Sequence, residues 1–181
     1  RTTEQAVLRM RDLMLPPDDP VILRAEWALL SYTDGSLAYS DRIEHHPDFD
    51  IALSSMAAAN ASALGSVDER VERRKAVCAQ YVSSAAEVIA SGKDYITAWR
   101  ASLMERHDLA LLPETIHVLW LLWKNPYLEE ETEYRFLRYL WGKSVYYTPG
   151  IPALETHLAD SAQFACWLFV LEQFSGARTF P

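Results

Sequence analysis

Residues 116–123 read Ile-His-Val-Leu-Trp-Leu-Leu-Trp, a stretch in which His117 is the one polar side chain. A helix built from this stretch is apolar on every side, and such a helix lies inside a protein or beneath a partner. A second stretch of the same kind, Phe-Ala-Cys-Trp-Leu-Phe-Val-Leu, spans residues 164–171. We therefore predict an all-α bundle with central helices near 113–124 and 152–174.

Glycines and prolines divide the rest of the chain into amphipathic segments. Glycine after such a segment is typical of a helix C-terminus, and proline suits the first helical position, whose N–H needs no partner. The glycines are Gly35, Gly65, Gly92, Gly142 and Gly176, and the prolines are Pro20, Pro47, Pro113, Pro126 and Pro152. The helices predicted from them span 3–15, 19–33, 37–44, 47–64, 67–91, 94–107, 113–124, 126–141 and 152–174. We predict one helical domain, 1–181, with about eight or nine helices and an ordered aromatic loop at 143–150.

The helix predicted at 67–91 has the clearest apolar stripe. Its members recur at helical spacing and are Val67, Val71, Cys78, Val82, Ala85 and Ile89. Arg74 falls within this stripe, so we expect it to lean to solvent or to meet a carboxylate such as Glu172. The preceding helix, at 51–64, is rich in alanine and should allow close approach of its neighbours.

Composition excludes several classes of function. The chain of 181 residues carries 17 Lys and Arg against 25 Asp and Glu, a formal net charge of −8. A binder of nucleic acid or of an anionic membrane needs a basic face, so neither partner is expected. No stretch reaches the about 18 apolar residues of a membrane span. The excess of arginine over lysine is typical of GC-rich, bacterial genomes.

The two cysteines indicate a reducing compartment. Cys78 and Cys166 both fall in apolar helical patterns, where we expect buried, reduced and unreactive thiols. No signal peptide is visible at the start of the given sequence, and we predict a cytoplasmic protein.

One dense cluster of like charges follows Pro126. It comprises four glutamates and two flanking tyrosines: Tyr127, Glu129, Glu130, Glu131, Glu133 and Tyr134. Carboxylates in the first turn of a helix favour the helix dipole, which explains the cluster without any function. The functional interpretation is a docking surface for a basic protein partner, in which charge speeds association and the tyrosines contribute affinity.

An alternative centres on the pair His107-Asp108. This doublet is similar to that of metal-dependent phosphohydrolases, in which an earlier His, the doublet and a later Asp hold a divalent metal. The resemblance implies that His45 or His46, together with His107, Asp108 and Asp160, would hold a metal that activates water for hydrolysis. The competing interpretation is that His107 suits a helix C-terminus.

A Glu-x-x-His pattern, Glu114 to His117, has the spacing of a ferritin-like di-iron site. The second copy that such a site needs is missing, so we interpret His117 as structural. No Gly-x-Ser-x-Gly elbow and no glycine-rich phosphate loop occur either.

We therefore predict a macromolecular interaction module: an adaptor, an inhibitor of the immunity type or a self-associating regulator. No cofactor is expected, and catalysis is the less favoured interpretation. The alternatives are the metal-dependent hydrolase and a binder of an apolar small molecule between the Trp-rich helices.

Overall fold

The computed structural model of the chain describes residues 3–37, 47–92, 116–147 and 168–179. Within these ranges all regular structure is helical and no strand occurs. The helices are α1 (Thr3–Asp12), α2 (Pro20–Thr33), α3 (Pro47–Ala63), α4 (Glu69–Ala90), α5 (Ile116–Leu122), α6 (Glu130–Tyr147) and a 3-10 helix, η1 (Ser175–Thr179). Residues 168–171 are also helical.

The all-α prediction is confirmed for the described residues, which contain these seven helices and the helical residues 168–171, against eight or nine helices predicted for the whole chain. The predicted helices at 37–44 and 94–107 lie outside the described residues, as does most of the helix expected at 152–174.

The alanine-rich helix α3 is central to the described bundle. It contacts α1, α2, α4 and α5, and from Ser54 to Ala63 all its side chains but Met56 are buried. Small side chains such as Ala58 and Ala61 let four neighbours approach one helix closely. The sequence predicts central positions for the bulkier apolar stretches instead. Helix α3 shares the centre of the described bundle with one of them, which forms α5.

Helix α5 is the second central element, as predicted. Leu119 and Trp120 are 0% and 1% exposed, and the Ser62 hydroxyl donates a 3.1 Å hydrogen bond to the Trp120 carbonyl. The central position predicted for 152–174 also implies near-complete burial of Trp167 and Phe169. This is wrong for Phe169, which is half-buried against the edge of the core. Trp167 lies outside the described residues.

Helix α4 begins two residues later than its apolar stripe suggested. Asp68 is its N-cap and accepts the Arg70 N–H, so Val67 precedes the helix and is 85% exposed. Arg74 is half-buried and donates to the Ser54 hydroxyl at 2.6 Å, whereas Glu172 is exposed. Of the two alternatives, the pairing of Arg74 with Glu172 is wrong. Arg74 is partly exposed to solvent, and its guanidinium donates to the neutral Ser54 on α3.

Arg70 joins the start of α4 to the end of α2. Its guanidinium is bidentate on Asp68, at 2.7 and 3.0 Å, and also donates to Asp34 at 2.6 Å and to the Leu30 carbonyl at 3.3 Å. These bonds lower the pKa of Asp68 and raise that of Arg70. The cluster fixes the position of two helix ends with one side chain.

The glycine pattern succeeds at some helix ends and fails at others. Gly65 has φ +88°, and the Ser66 N–H bonds the Ala61 carbonyl while the Gly65 N–H bonds that of Ser62, which is a Schellman end to α3. Gly142, by contrast, lies inside α6, which continues to Tyr147. The loop predicted at 143–150 is thus helical as far as residue 147.

Cys78 is buried and free, and burial raises its pKa to about 12. The expectation of a buried thiol is confirmed for this residue, while Cys166 lies outside the described residues. Within the described ranges, no helix has both the length and the apolar character that crossing a membrane requires.

Candidate functional site

The connection between α5 and α6 positions the predicted acidic cluster. Buried Asn125 donates through Nδ2 to the carbonyls of Lys75 and Leu121, both at 2.9 Å, and accepts the Tyr127 N–H at Oδ1, also at 2.9 Å. Asn-Pro is a turn-forming dipeptide, and the asparagine side chain here imitates a backbone turn. Pro126 therefore lies in this turn and does not open the helix, contrary to the sequence prediction.

We call Tyr127, Glu129, Glu130, Glu131, Glu133 and Tyr134 the acidic turn. Helix α6 begins at Glu130, and the Glu129 carbonyl accepts the Glu133 N–H at 2.9 Å. Three successive glutamates, Glu129 to Glu131, are exposed, and Tyr127 is 54% exposed beside them. Three carboxylates thus lie in the first turn of α6, and the fourth, that of Glu129, directly precedes it.

Among the described residues, one of these four carboxylates forms an ion pair and the other three do not. Glu131 is bonded to Arg135, one turn along α6, with Oε1 2.8 Å from Nε. Among the described residues no cation lies within ion-pairing distance of Glu129, Glu130 or Glu133. Within the described residues, the charges of Glu129 and Glu130, and that of Glu133 when it is ionised, are therefore compensated only by the helix dipole and by solvent.

Glu133 differs from its neighbours because it is half-buried. Burial, and secondarily the charge of Glu130, raise the pKa of Glu133 to about 7. This carboxyl group therefore titrates near neutral pH, which the sequence pattern did not predict. The signal available in the sequence was its position three residues before Phe136, on the side of α6 that faces the core.

Tyr134 connects the acidic turn to the end of the described chain. Its ring packs over Gly176 of η1, where an added Cβ would lie 3.0 Å from the Tyr134 Cδ2 atom. Because even a methyl group would press on the ring, glycine at position 176 allows α6 and η1 to approach this closely. Tyr134 is half-buried and thus less available to a partner than Tyr127.

The alternative metal ligands His46, His107, Asp108 and Asp160 all lie outside the described residues. Within the described ranges, no group of three or more His, Cys, Asp or Glu side chains could hold a metal ion. His117 is buried on α5, in keeping with a structural interpretation.

A cluster that the sequence analysis missed joins α1 to α5. The Arg11 guanidinium carbon lies 4.4 Å from the ring centroid of Trp120 and 4.8 Å from that of Trp123, and Nη2 donates to Gln173 at 3.3 Å. The two indoles meet edge to face with centroids 5.6 Å apart. Their i, i+3 spacing predicts a shared helix face, but nothing in the sequence pointed to Arg11 as the residue that covers them.

The outer side of α2 presents a second surface that the sequence analysis did not single out. Leu23 and Trp27, one helical turn apart, are 51% and 65% exposed. Pro20 and Arg24 are exposed on the same side of the helix. Leu23 and Trp27 therefore form an exposed apolar pair on the outer side of α2.

Compared with known proteins, the sequence matches no family model, no curated protein and no solved structure. The function is therefore inferred from the residues of the chain themselves.

Proposed function

We propose that the chain is a macromolecular interaction module that binds a basic protein segment at the acidic turn. The observation that carries this proposal is the set of unpaired carboxylates: Glu129, Glu130 and Glu133 have no cationic partner among the described residues. Like charges this close repel one another, and lysine or arginine side chains from a partner would relieve that repulsion.

Glu133 adds a pH dependence to this proposal. With its pKa raised to about 7, a large fraction of the group carries a proton at neutral pH. A cation brought to the turn favours the ionised form, so binding would release a proton. The affinity for a basic segment should therefore rise as the pH increases through about 7.

The turn also offers a fixed aromatic contact. Tyr127 is largely exposed, and its backbone is held by Asn125, which is itself bonded to α4 and α5. A tyrosine on an ordered backbone contributes contact area at small entropic cost, and tyrosine is enriched among residues that dominate binding. Charge would thus attract the partner, and Tyr127 would hold it.

An adaptor and an inhibitor of the immunity type both fit such a surface, because each acts by occupying its partner. We propose the cytoplasm as the location, since the free thiol of Cys78 is suited to a reducing compartment.

The test is an equilibrium titration with a fluorescent lysine-rich peptide that contains leucine and tyrosine. The peptide is titrated with the wild type, with the triple variant Glu129→Gln, Glu130→Gln, Glu131→Gln, and with Glu133→Gln. A charge-matched control carries Asp18→Asn, Glu87→Gln and Glu172→Gln, which removes three exposed carboxylates from other surfaces. A peptide with glutamine in place of lysine serves as the second control.

We expect the acidic-turn triple variant to bind at least tenfold more weakly and the charge-matched control to bind within about threefold of wild type. Glu133→Gln should abolish the gain in affinity between about pH 6 and about pH 8. Equal weakening by both triple variants would show that only net charge matters, and the proposal would then fail.

A further inference from the structure

We propose that Asp34-Gly35 is a site of isoaspartate formation that Arg70 and Ser36 keep unreactive in the folded chain, and that modification there would release α2 from α4. The sequence contains one Asp-Gly pair, and it lies at the end of α2. Asp34 and Gly35 are both exposed, so water reaches them. This inference does not depend on binding at the acidic turn.

The modification takes place within the chain and consumes no reagent other than water. The Gly35 backbone nitrogen attacks Cγ of the protonated Asp34 carboxyl group. A C–N bond forms, the N–H proton and the hydroxyl group leave as water, and a five-membered succinimide results. Water then adds to the main-chain carbonyl carbon of Asp34 and breaks its bond to the Gly35 nitrogen. The chain now runs through Cβ and Cγ of residue 34, and the former main-chain carbonyl is a free carboxylate.

The backbone of the folded chain holds the nitrogen away from this reaction. Asp34 has ψ 0°, so the Gly35 nitrogen eclipses the backbone nitrogen of Asp34 and is turned away from the Asp34 side chain. The Gly35 N–H also donates to the Tyr32 carbonyl at 3.4 Å. Ring closure requires a rotation about the Cα–C bond of Asp34, which breaks this hydrogen bond. A Cβ added at Gly35 would meet no atom within 4 Å, so the turn has room to rotate once it is released.

The side-chain contacts hold the carboxyl group in its unreactive form. The Ser36 backbone N–H and hydroxyl donate to Oδ1 of Asp34 at 2.9 and 2.5 Å, and Nη1 of Arg70 donates to Oδ2 at 2.6 Å. These donors favour the ionised carboxylate and lower its pKa to about 2. An ionised carboxylate has no hydroxyl group to release as water. The bonds that tie α4 to α2 therefore also suppress the modification.

Isoaspartate at position 34 would undo the junction between the two helices. It adds one methylene group to the main chain and moves the carboxylate to another carbon, so the contact with Arg70 and the two contacts with Ser36 cannot persist in their present geometry. Arg70 would retain Asp68, on its own side of the junction. A brief local opening of the junction would thus be recorded as a lasting covalent change.

The test is the rate of isoaspartate formation at residue 34, measured by peptide mapping with electron-transfer fragmentation. The folded wild type is compared with wild type unfolded in urea, with Arg70→Gln and with Ser36→Ala. Arg73→Gln is the matched control, because Arg73 pairs with Glu69 on the exposed surface of the same helix. Asp34→Glu, whose longer side chain does not form the five-membered ring, verifies that the signal comes from residue 34. Circular dichroism verifies that each variant is folded.

We expect the folded wild type to be modified at least about tenfold more slowly than the unfolded chain, because a local opening must precede ring closure. Arg70→Gln should be modified at least about threefold faster than the folded wild type, and Arg73→Gln at the wild-type rate. If Arg70→Gln does not fold, Ser36→Ala provides the comparison, since it leaves the Arg70 contacts in place. Modified wild type, separated by ion exchange, should melt at a lower temperature than unmodified protein.

Equal rates in the folded and the unfolded wild type would overturn the proposal. So would folded Arg70→Gln and Ser36→Ala variants that are modified as slowly as the wild type. An unchanged melting temperature of the modified protein would show that α2 is not released.

Discussion

The Nη1 atom of Arg70 lies 2.6 Å from Oδ2 of Asp34, a contact that ties the start of α4 to the end of α2. The other carboxylate oxygen of Asp34 accepts from the backbone N–H and the hydroxyl of Ser36. The Ser36 donors, and then Arg70, lower the pKa of Asp34 to about 2. The relative position of the end of α2 and the start of α4 therefore depends on the ionised carboxylate of Asp34.

Replacing Asp34 by Asn should destabilise the fold in a pH-dependent way. The pKa is depressed in the folded state, so the contribution of the carboxylate is present above its unfolded pKa of about 3.9 and is lost as the pH falls towards about 2. Melting temperatures measured across the acid range should differ between wild type and Asp34→Asn at neutral pH and converge below about pH 2. A difference that persists unchanged at low pH would contradict this. Asp18→Asn, at an exposed turn position, is the control.

Glu133 should give the opposite pH dependence. Its pKa is raised in the folded protein to about 7, so the native state binds more protons than the unfolded chain between about pH 4.3 and about pH 7. Native stability is therefore penalised progressively as the pH rises through this window. Glu133→Gln should melt higher than wild type at pH 8, and this advantage should shrink towards pH 5. Glu130→Gln should reduce the effect, because Glu130 is the second cause of the raised pKa.

Arg11→Ala should destabilise the protein by about 1–2 kcal/mol, through lost stacking on Trp120 and Trp123 and lost packing of the arginine stem. Urea unfolding, monitored by tryptophan fluorescence, measures this directly. Arg9→Ala, at an exposed position on the same helix, should change the free energy of unfolding by less than about 0.5 kcal/mol. If the two variants are equally stable, the Arg11 stack contributes nothing to the fold.

The thiol of Cys78 should be inert in the native protein. Burial raises its pKa to about 12, so almost no thiolate is present at neutral pH, and the sulfur is shielded from solvent. In a Cys166→Ser background, a disulfide reagent should label Cys78 only at the rate of unfolding. Labelling within seconds in native buffer would show that α4 opens locally.

The helices were predictable where a local cause decides them. Gly65 ends α3 because its φ of +88° suits glycine, and the apolar stretch that contains Trp120 is buried as expected. The prediction fails where a side chain that is anchored to another helix redirects the chain. Asn125 turns the chain at Pro126, and the start of α6 moves to Glu130. Gly142 is helical although glycine costs about 1 kcal/mol relative to alanine inside a helix.

The candidate site shows the same division between local and tertiary causes. The cluster of glutamates is visible in the sequence, and Tyr127 beside it is exposed as docking requires. What the sequence does not contain is the half-burial of Glu133 and the anchoring of Asn125 to Lys75, since both depend on how α4 and α5 pack against the turn. Leu23 and Trp27 lie one helical turn apart, a spacing that predicts a buried stripe, and their exposure on α2 is therefore not predictable from the sequence.

The most direct test of the central claim is the association rate of the lysine-rich peptide, measured by stopped-flow fluorescence at low salt. We predict that Glu129→Gln, Glu130→Gln and Glu131→Gln together slow association at least tenfold at the lowest salt and less as salt is added, and leave the dissociation rate and the melting temperature nearly unchanged. An unaltered association rate at low salt would contradict it, and the acidic turn would then be a solvated helix start with no part in binding.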